Sequence, residues 1–262
     1  MPDQKVSWIK ENSIGIITID NPPANAISNQ VIPELLNCFR DIEETKDVRA
    51  VILTGAGEKF FIAGADISEF PNLMQRSAGD ISRIIRQGHQ VINYIDFFSK
   101  PVIAAVEGIA LGAGLEIVLA CDLCIASENA QFGLPEVNLG LIPGDGGTQR
   151  LPRRIGAVRA KEMMFLGKQI KAEEALKIGL INHMVPQGKA FEEAKKIAIE
   201  VAGRPAVSVS FIKQSVNRGI DLSLLEGLKI EADLFEMVFR TEDVKEGVSA
   251  FMNKRAPKFK HR

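Results

Sequence analysis

Four short runs rich in isoleucine and valine alternate with segments of helical periodicity, and this alternation most constrains the fold. The runs are SIGIITID, VRAVILTG, PVIAAVEG and DLCIAS, at residues 13–20, 48–55, 101–108 and 122–127. Between them, residues 29–45 and 79–98 carry apolar residues at helical spacing. Strands that alternate with helices pair in parallel, because the chain crosses over between them. The sequence therefore predicts an α/β fold with a parallel sheet.

The C-terminal third has a different pattern. From residue 157 onward, apolar residues recur at helical spacing, and glycine or proline stands at the breaks between these segments. This pattern predicts successive helices without strands of comparable strength. We expect residues 1–200 to form the core and residues 201–262 to form a helical region that packs against another copy of the chain.

Composition narrows the classes of partner. The 262 residues are 46% hydrophobic and 25% charged, and the formal net charge is -1. These values are typical of globular proteins, and no excess of basic residues is present to attract nucleic acid or anionic lipid. We therefore expect a small-molecule or acyl ligand, with no nucleic acid and no membrane as partner.

The same sequence bears on cellular location. No apolar run approaches the roughly 20 residues that a membrane span needs, and the start MPDQKVSWIKEN has no hydrophobic stretch of the signal-peptide kind. Cysteines number three, an odd count that argues for reduced thiols rather than a set of disulfides. We expect a cytoplasmic protein.

One carboxylate stands in the apolar run GIALGAGLEIVLACD, at Glu116. Burial of an unpaired charge costs several kcal/mol, roughly, so this glutamate needs an explanation. Residues 112–114 are small and are expected to begin a helix, where backbone N–H groups lack partners and attract negative charge. The pattern fits a cavity lined by a backbone donor and this carboxylate. It also fits a first-turn glutamate that only interacts with the helix dipole.

Two other interpretations of this region are weaker. A dinucleotide site would need a third glycine where Ile117 stands, and Glu116 would repel the pyrophosphate. The pair Cys121 and Cys124 has metal or redox spacing, but no second pair exists and the pair follows a helix instead of beginning one. We expect two core cysteines and no metal site.

Three motifs in order resemble the enoyl-CoA hydratase (crotonase) family. They are VILTGAGEKFFIAGADISEF at 51–70, KPVIAAVEGIALGAGLEIVLACDLCIA at 100–126 and AQFGLPEVNLGLIPGDGGTQRLPR at 130–153, with a matching tail at 246–259. The resemblance implies a spiral of strand-strand-helix units whose C-terminal helices form trimers, usually paired into hexamers. It also implies an oxyanion hole made by the backbone N–H groups of Ala65 and Ala113, the second of which is more often glycine.

The resemblance implies binding and catalytic residues as well. Coenzyme A would contact seven residues, the last two of them from a neighbouring subunit: Lys59, Ala63, Ala65, Asp66, Ile67, Phe251 and Lys254. Glu116 would orient the water that attacks C3, and Glu136 would deliver a proton to C2 of a 2-enoyl-CoA thioester. General acid–base chemistry of this kind requires two carboxylates and no cofactor beyond the coenzyme A of the substrate.

Alternatives within and outside the family stay open. They are an enoyl-CoA isomerase, a hydratase or hydrolase for a cyclic acyl-CoA, and a catalytically silent acyl-CoA-binding protein. The presence of both Glu116 and Glu136 favours hydration.

Asp145 departs from the family pattern, because a small or apolar residue is common there. It either faces the acyl pocket, where it would indicate a polar or cyclic acyl group, or belongs to a solvated turn. We expect the solvated turn, and we expect the walls of the acyl pocket to come from residues 70–90.

Overall fold

The computed structural model describes residues 4–262. The strands are β1 (Val6–Glu11), β2 (Ile14–Ile19), β3 (Ala50–Gly55), β4 (Phe60–Ile62), β5 (Val102–Val106), β6 (Ile109–Leu111), β7 (Leu123–Ser127), β8 (Gln131–Gly133), β9 (Gln169–Lys171) and β10 (His183–Val185). The helices are α1 (Val31–Glu44), α2 (Phe70–Leu73), α3 (Ala78–Asp96), α4 (Ala113–Ala120), α5 (Gly147–Ile155), α6 (Ala157–Phe165), α7 (Ala172–Lys177), α8 (Ala190–Ala202), α9 (Ala206–Gly219), α10 (Leu224–Val238) and α11 (Glu242–Met252).

The strands form two sheets. The main sheet has the order β1-β2-β3-β5-β7-β10, and the minor sheet has the order β4-β6-β8-β9. Three successive pairs, β3 and β4, β5 and β6, and β7 and β8, each contribute their first strand to the main sheet and their second to the minor sheet. A helix follows each pair, so the expected strand-strand-helix units are present.

Pairing in the main sheet is parallel from β2 to β10, whereas β1 pairs antiparallel with β2. All residues of β3 and β5 are buried, because helices cover both faces of the sheet. Side chains alternate between the faces: Val51 and Leu53 pack towards α1 and α3, while Ile52 packs towards α8. The four strands that the sequence indicates are confirmed.

Helix α4 is the most deeply buried helix near the two sheets. All eight of its residues are buried. Gly112 precedes it with a φ of 51°, a left-handed conformation that favours glycine. A Cβ on Gly114 would lie 2.1 Å from the carbonyl oxygen of Ile62, so the helix backbone is in direct contact with β4. The segment before the helix contains β6, where the sequence indicates only a loop.

Helices α9 to α11 follow the sheets and expose much apolar surface. Helix α9 packs against α10, and the buried Lys213 of α9 pairs with Asp122 at 2.7 Å. Exposed apolar side chains occur on all three helices, among them Ile212, Val216, Phe235, Met237 and Phe251. Within residues 4–262, we find no helix with the length and apolar character to cross a membrane.

Contact between α4 and β4 predicts a strong dependence on Gly114. Replacement of Gly114 by Ala forces a methyl group against the Ile62 carbonyl, and overpacking of this kind costs about 3 kcal/mol or prevents folding. Gly79→Ala is the matched control, because the added Cβ meets only the Ser77 hydroxyl at 3.7 Å on the exposed first turn of α3. Chemical denaturation measures both variants. Equal stabilities would contradict the proposed contact.

Candidate active site

Two loops bring Ala65 and Ala113 together. A Cβ on Gly112 would lie 3.6 Å from the Cα of Gly64, so the residues just before these alanines are adjacent. Ile27 donates to the Gly64 carbonyl and accepts from Asp66 N, so the N–H of Ala65 points away from that bridge. Ala113 is the first residue of α4, where no intrahelical acceptor exists.

Neither N–H has an acceptor among residues 4–262. Two free backbone donors that lie on adjacent segments, one of them at a helix N-terminus, are suited to an oxygen that carries negative charge. The arrangement fits the oxyanion hole that the sequence resemblance implies.

Glu116 lies against a second loop. Its Oε1 accepts hydrogen bonds from Asp145 N at 2.8 Å and Gly147 N at 2.7 Å. A Cβ on Gly147 would lie 2.9 Å from the same oxygen, so glycine is needed there. In the described part of the chain, Oε2 accepts no hydrogen bond. One oxygen is therefore fixed by the protein, and the other can bind water or substrate.

Burial sets the protonation of Glu116. The side chain is 2% exposed, and this burial, with the nearby Asp145, raises the pKa of Glu116 to about 8. Hydrogen bonds from Gly147 and Asp145 favour the ionised form and limit the rise. The residue can thus exchange a proton near neutral pH.

Glu136 begins a short 3-10 helix, Glu136–Leu139, and faces the beginning of α4. Its Oε1 lies 3.1 Å from the point that a Cβ on Gly112 would occupy. Its Oε2 is buried and has no hydrogen-bond partner within residues 4–262. Burial raises the pKa of Glu136, and Asp145 adds to the rise. A buried carboxylate oxygen without a partner indicates a place for a ligand or a proton.

Asp145 is not the solvated turn residue that we expected. Its side chain is half-buried, and Oδ1 lies 2.2 Å from the point that a Cβ on Gly88 would occupy. Burial raises the pKa of Asp145, although His89 and Arg150 act in the opposite direction. The lack of a side chain at Gly88 lets the carboxylate turn inward beside Glu116, so that interpretation was wrong.

The expected coenzyme A residues divide into two groups. Lys59 is exposed, with Nζ 5.1 Å from the Phe60 ring centroid. Residues 63–66 connect β4 to a 3-10 helix, Ile67–Glu69, whose first residue is Ile67. Phe251 is 87% exposed at the end of α11, and Lys254 is exposed just beyond it. Their contact with coenzyme A stays a prediction.

The cysteines near the site are core residues. Cys121 and Cys124 are buried free thiols. Burial raises the pKa of Cys121 and raises that of Cys124 to about 12. Neutral thiols in an apolar core are unreactive.

Known proteins are similar over almost the whole chain. Residues 9–262 match the enoyl-CoA hydratase/isomerase family model. A short-chain-enoyl-CoA hydratase of Clostridium acetobutylicum is 44% identical over 94% of both chains. A crotonyl-CoA hydratase of Syntrophomonas wolfei is 39% identical over 95% of both chains. The crystal structure of an enoyl-CoA hydratase from Bacillus anthracis superposes with a TM-score of 0.93, at 39% identity, over 99% of this chain and 100% of that one. The expected crotonase-like fold is confirmed.

The raised pKa of Glu116 predicts how stability depends on pH. A carboxyl group whose pKa rises on folding, here from 4.5 to about 8, stabilises the fold fully at low pH and loses that contribution as pH rises through 8. Gln keeps the oxygen acceptor and cannot ionise. As pH rises from 5 to 8, Glu116→Gln should therefore gain stability relative to the parent, on the order of 3 kcal/mol.

Denaturation at several pH values measures this difference. Glu128→Gln, which changes an exposed glutamate, is the control and should show no such trend. A pH-independent difference between Glu116→Gln and the parent would contradict the assigned burial of charge.

Proposed function

The chain belongs to the enoyl-CoA hydratase/isomerase family, and we propose that it hydrates 2-enoyl-CoA thioesters reversibly to 3-hydroxyacyl-CoA. One observation carries the proposal: two free backbone donors, at Ala65 and Ala113, lie beside two carboxylates that have raised pKa values. Relatives named as a short-chain-enoyl-CoA hydratase and a crotonyl-CoA hydratase support it. The presence of both glutamates favours hydration over double-bond isomerisation.

The thioester oxygen would accept hydrogen bonds from the N–H groups of Ala65 and Ala113. Attack of water at C3 builds enolate charge on this oxygen, and fixed donors stabilise that charge by about 3 kcal/mol each. The beginning of α4 adds its positive end to the same place. The donors therefore act more strongly in the transition state than in the substrate.

Glu116 and Glu136 would divide the handling of water. The free Oε2 of ionised Glu116 would accept a hydrogen bond from the attacking water and take up its proton as the bond between the water oxygen and C3 forms, while Oε1 stays held by Asp145 N and Gly147 N. Protonated Glu136 would supply the proton to C2. Burial raises the pKa of Glu136, and its buried Oε2, which has no hydrogen-bond partner within residues 4–262, is available to hold that proton. A positioned acid and base suffice for adding water to a conjugated thioester, so the proposed reaction uses no cofactor or metal.

Assembly into trimers, or dimers of trimers, forms part of the proposal. On α9, Ile212 and Val216 are 66% and 55% exposed, and they line a cleft of about 880 Å³ between α9 and the body of the protein. Burial of such surface against another copy would be favourable. Phe251 and Lys254 of one copy would then meet the coenzyme A held by Lys59 and residues 63–67 of its neighbour. A cytoplasmic location stays a prediction from the sequence.

Removal of either acid should slow hydration. We expect Glu136→Gln and Glu116→Gln each to lower the rate of crotonyl-CoA hydration by at least about 100-fold, a typical loss for a general acid or base. Both replacements preserve shape, so acyl-CoA binding should persist. Loss of the enoyl absorbance measures the rate, and calorimetry with butyryl-CoA measures binding.

Glu128→Gln again serves as the control and should retain the parental rate. Near-parental turnover by either Glu116→Gln or Glu136→Gln would remove that residue from the mechanism. Absence of hydration by the parent protein, on any enoyl-CoA, would overturn the proposed function itself.

A further inference from the structure

Helix α3 is hydrogen-bonded to residues 144–147, the loop whose backbone N–H groups donate to Glu116. His89 Nε2 donates to the carbonyl oxygen of Gly144 at 2.7 Å. Arg150, on the helix that follows the loop, reaches back to Asn93 at 2.7 Å and to Asp96 at 3.0 Å. These contacts hold α3 against residues 144–147.

The side chain of Asp145 lies between α3 and this loop. A carboxylate oxygen fits against the bare Cα of Gly88, where any side chain would collide with it. In the described part of the chain, no hydrogen-bond donor reaches either oxygen of this carboxylate. The charged neighbours are Glu116, Glu136, His89 and Arg150.

A small apolar cavity meets Asp145 on its inner side. It has a volume of about 20 Å³ and is also bounded by Ala113 at the beginning of α4. Its other walls are mainly aliphatic side chains of α1, α3 and α4: Ile32, Leu35, Val91, Ile92 and Ile117. A space of this size holds about one water molecule or methyl group.

The order of groups gives the direction of the acyl chain. In the proposed reaction the thioester oxygen lies at Ala65 and Ala113, and C3 lies near Glu116. The small cavity is bounded by Ala113 at one place and by Asp145 at another, so it extends from the proposed oxyanion donor to the Asp145 side chain. Carbon atoms after C3 therefore reach the cavity that ends at Asp145.

We propose that Asp145 determines acyl specificity, ending the acyl pocket so that short enoyl groups are accepted and long alkyl chains are rejected; this rests on the proposed function. A longer chain would have to displace α3 from residues 144–147. It would also cover the Asp145 carboxylate with hydrocarbon and provide no donor in exchange. A crotonyl group, with one methyl beyond C3, fits the small cavity.

Substrate profiles test this assignment. For the parent protein, kcat/KM should be at least about 100-fold higher for crotonyl-CoA than for trans-2-octenoyl-CoA, a discrimination that several excluded methylenes can supply. Asp145→Ala should shrink this ratio at least about tenfold. Asp145→Asn keeps the size but not the charge, and it should shrink the ratio by a smaller factor. Asp47→Ala, which breaks an exposed ion pair with Lys10, should keep the parental ratio.

Binding of unreactive saturated thioesters separates this inference from the proposed function. Octanoyl-CoA should gain affinity relative to butyryl-CoA in Asp145→Ala, and this holds even if the protein hydrates neither enoyl substrate. Equal use of crotonyl and octenoyl groups by the parent, or unchanged ratios in Asp145→Ala, would overturn the assignment. Preference for a 6-hydroxy-2-hexenoyl group over crotonyl would also overturn it.

Discussion

Close approach between the beginning of α4 and strand β4 determines the arrangement of the site. Gly114 has no side chain, so the helix backbone meets the Ile62 carbonyl directly. Gly112, two residues before Gly114, is adjacent to Gly64, two residues after Ile62: a Cβ on Gly112 would lie 3.6 Å from the Gly64 Cα. Since Ala65 and Ala113 follow these glycines, their N–H groups are held near each other. Backbone contact, rather than any side chain, fixes the pair of donors.

Three carboxyl groups lie close to one another near these backbone donors. Glu116, Glu136 and Asp145 all have raised pKa values because they are buried, and Asp145 raises the pKa of both glutamates. Ionisation of these buried carboxyl groups lowers the stability of the fold at high pH. The hydrogen bonds that Asp145 N and Gly147 N donate to Glu116 reduce this destabilisation only in part. The same burial raises the pKa of Glu116 to about 8, so this carboxyl can exchange a proton near neutral pH, as an acid–base site requires.

The sequence predicts the main sheet well and the minor sheet poorly. Strands β3 and β5 are long apolar runs, whereas β4, β6 and β8 have three residues each, too few to show a period. The position of Glu116 pointed to a cavity. The two groups that donate hydrogen bonds to Glu116 are backbone N–H groups 29 and 31 residues away. Because almost every residue type has a backbone N–H, the sequence does not indicate these two donors. The inward orientation of the Asp145 side chain depends on the absence of a side chain at Gly88. Gly88 is distant in sequence, so the sequence alone did not indicate this contact.

The N–H of Ala113 gives the most direct test of this account. Proline lacks that hydrogen and is tolerated at the first position of a helix, so Ala113→Pro removes the donor with a good prospect of folding. Circular dichroism and thermal melts would establish matched folded fractions for the parent, Ala113→Gly and Ala113→Pro. We predict that Ala113→Gly hydrates crotonyl-CoA readily and that Ala113→Pro loses at least about 100-fold in rate. A folded Ala113→Pro that hydrates crotonyl-CoA as fast as the parent would contradict the oxyanion hole, and with it the role assigned to the contact between α4 and β4.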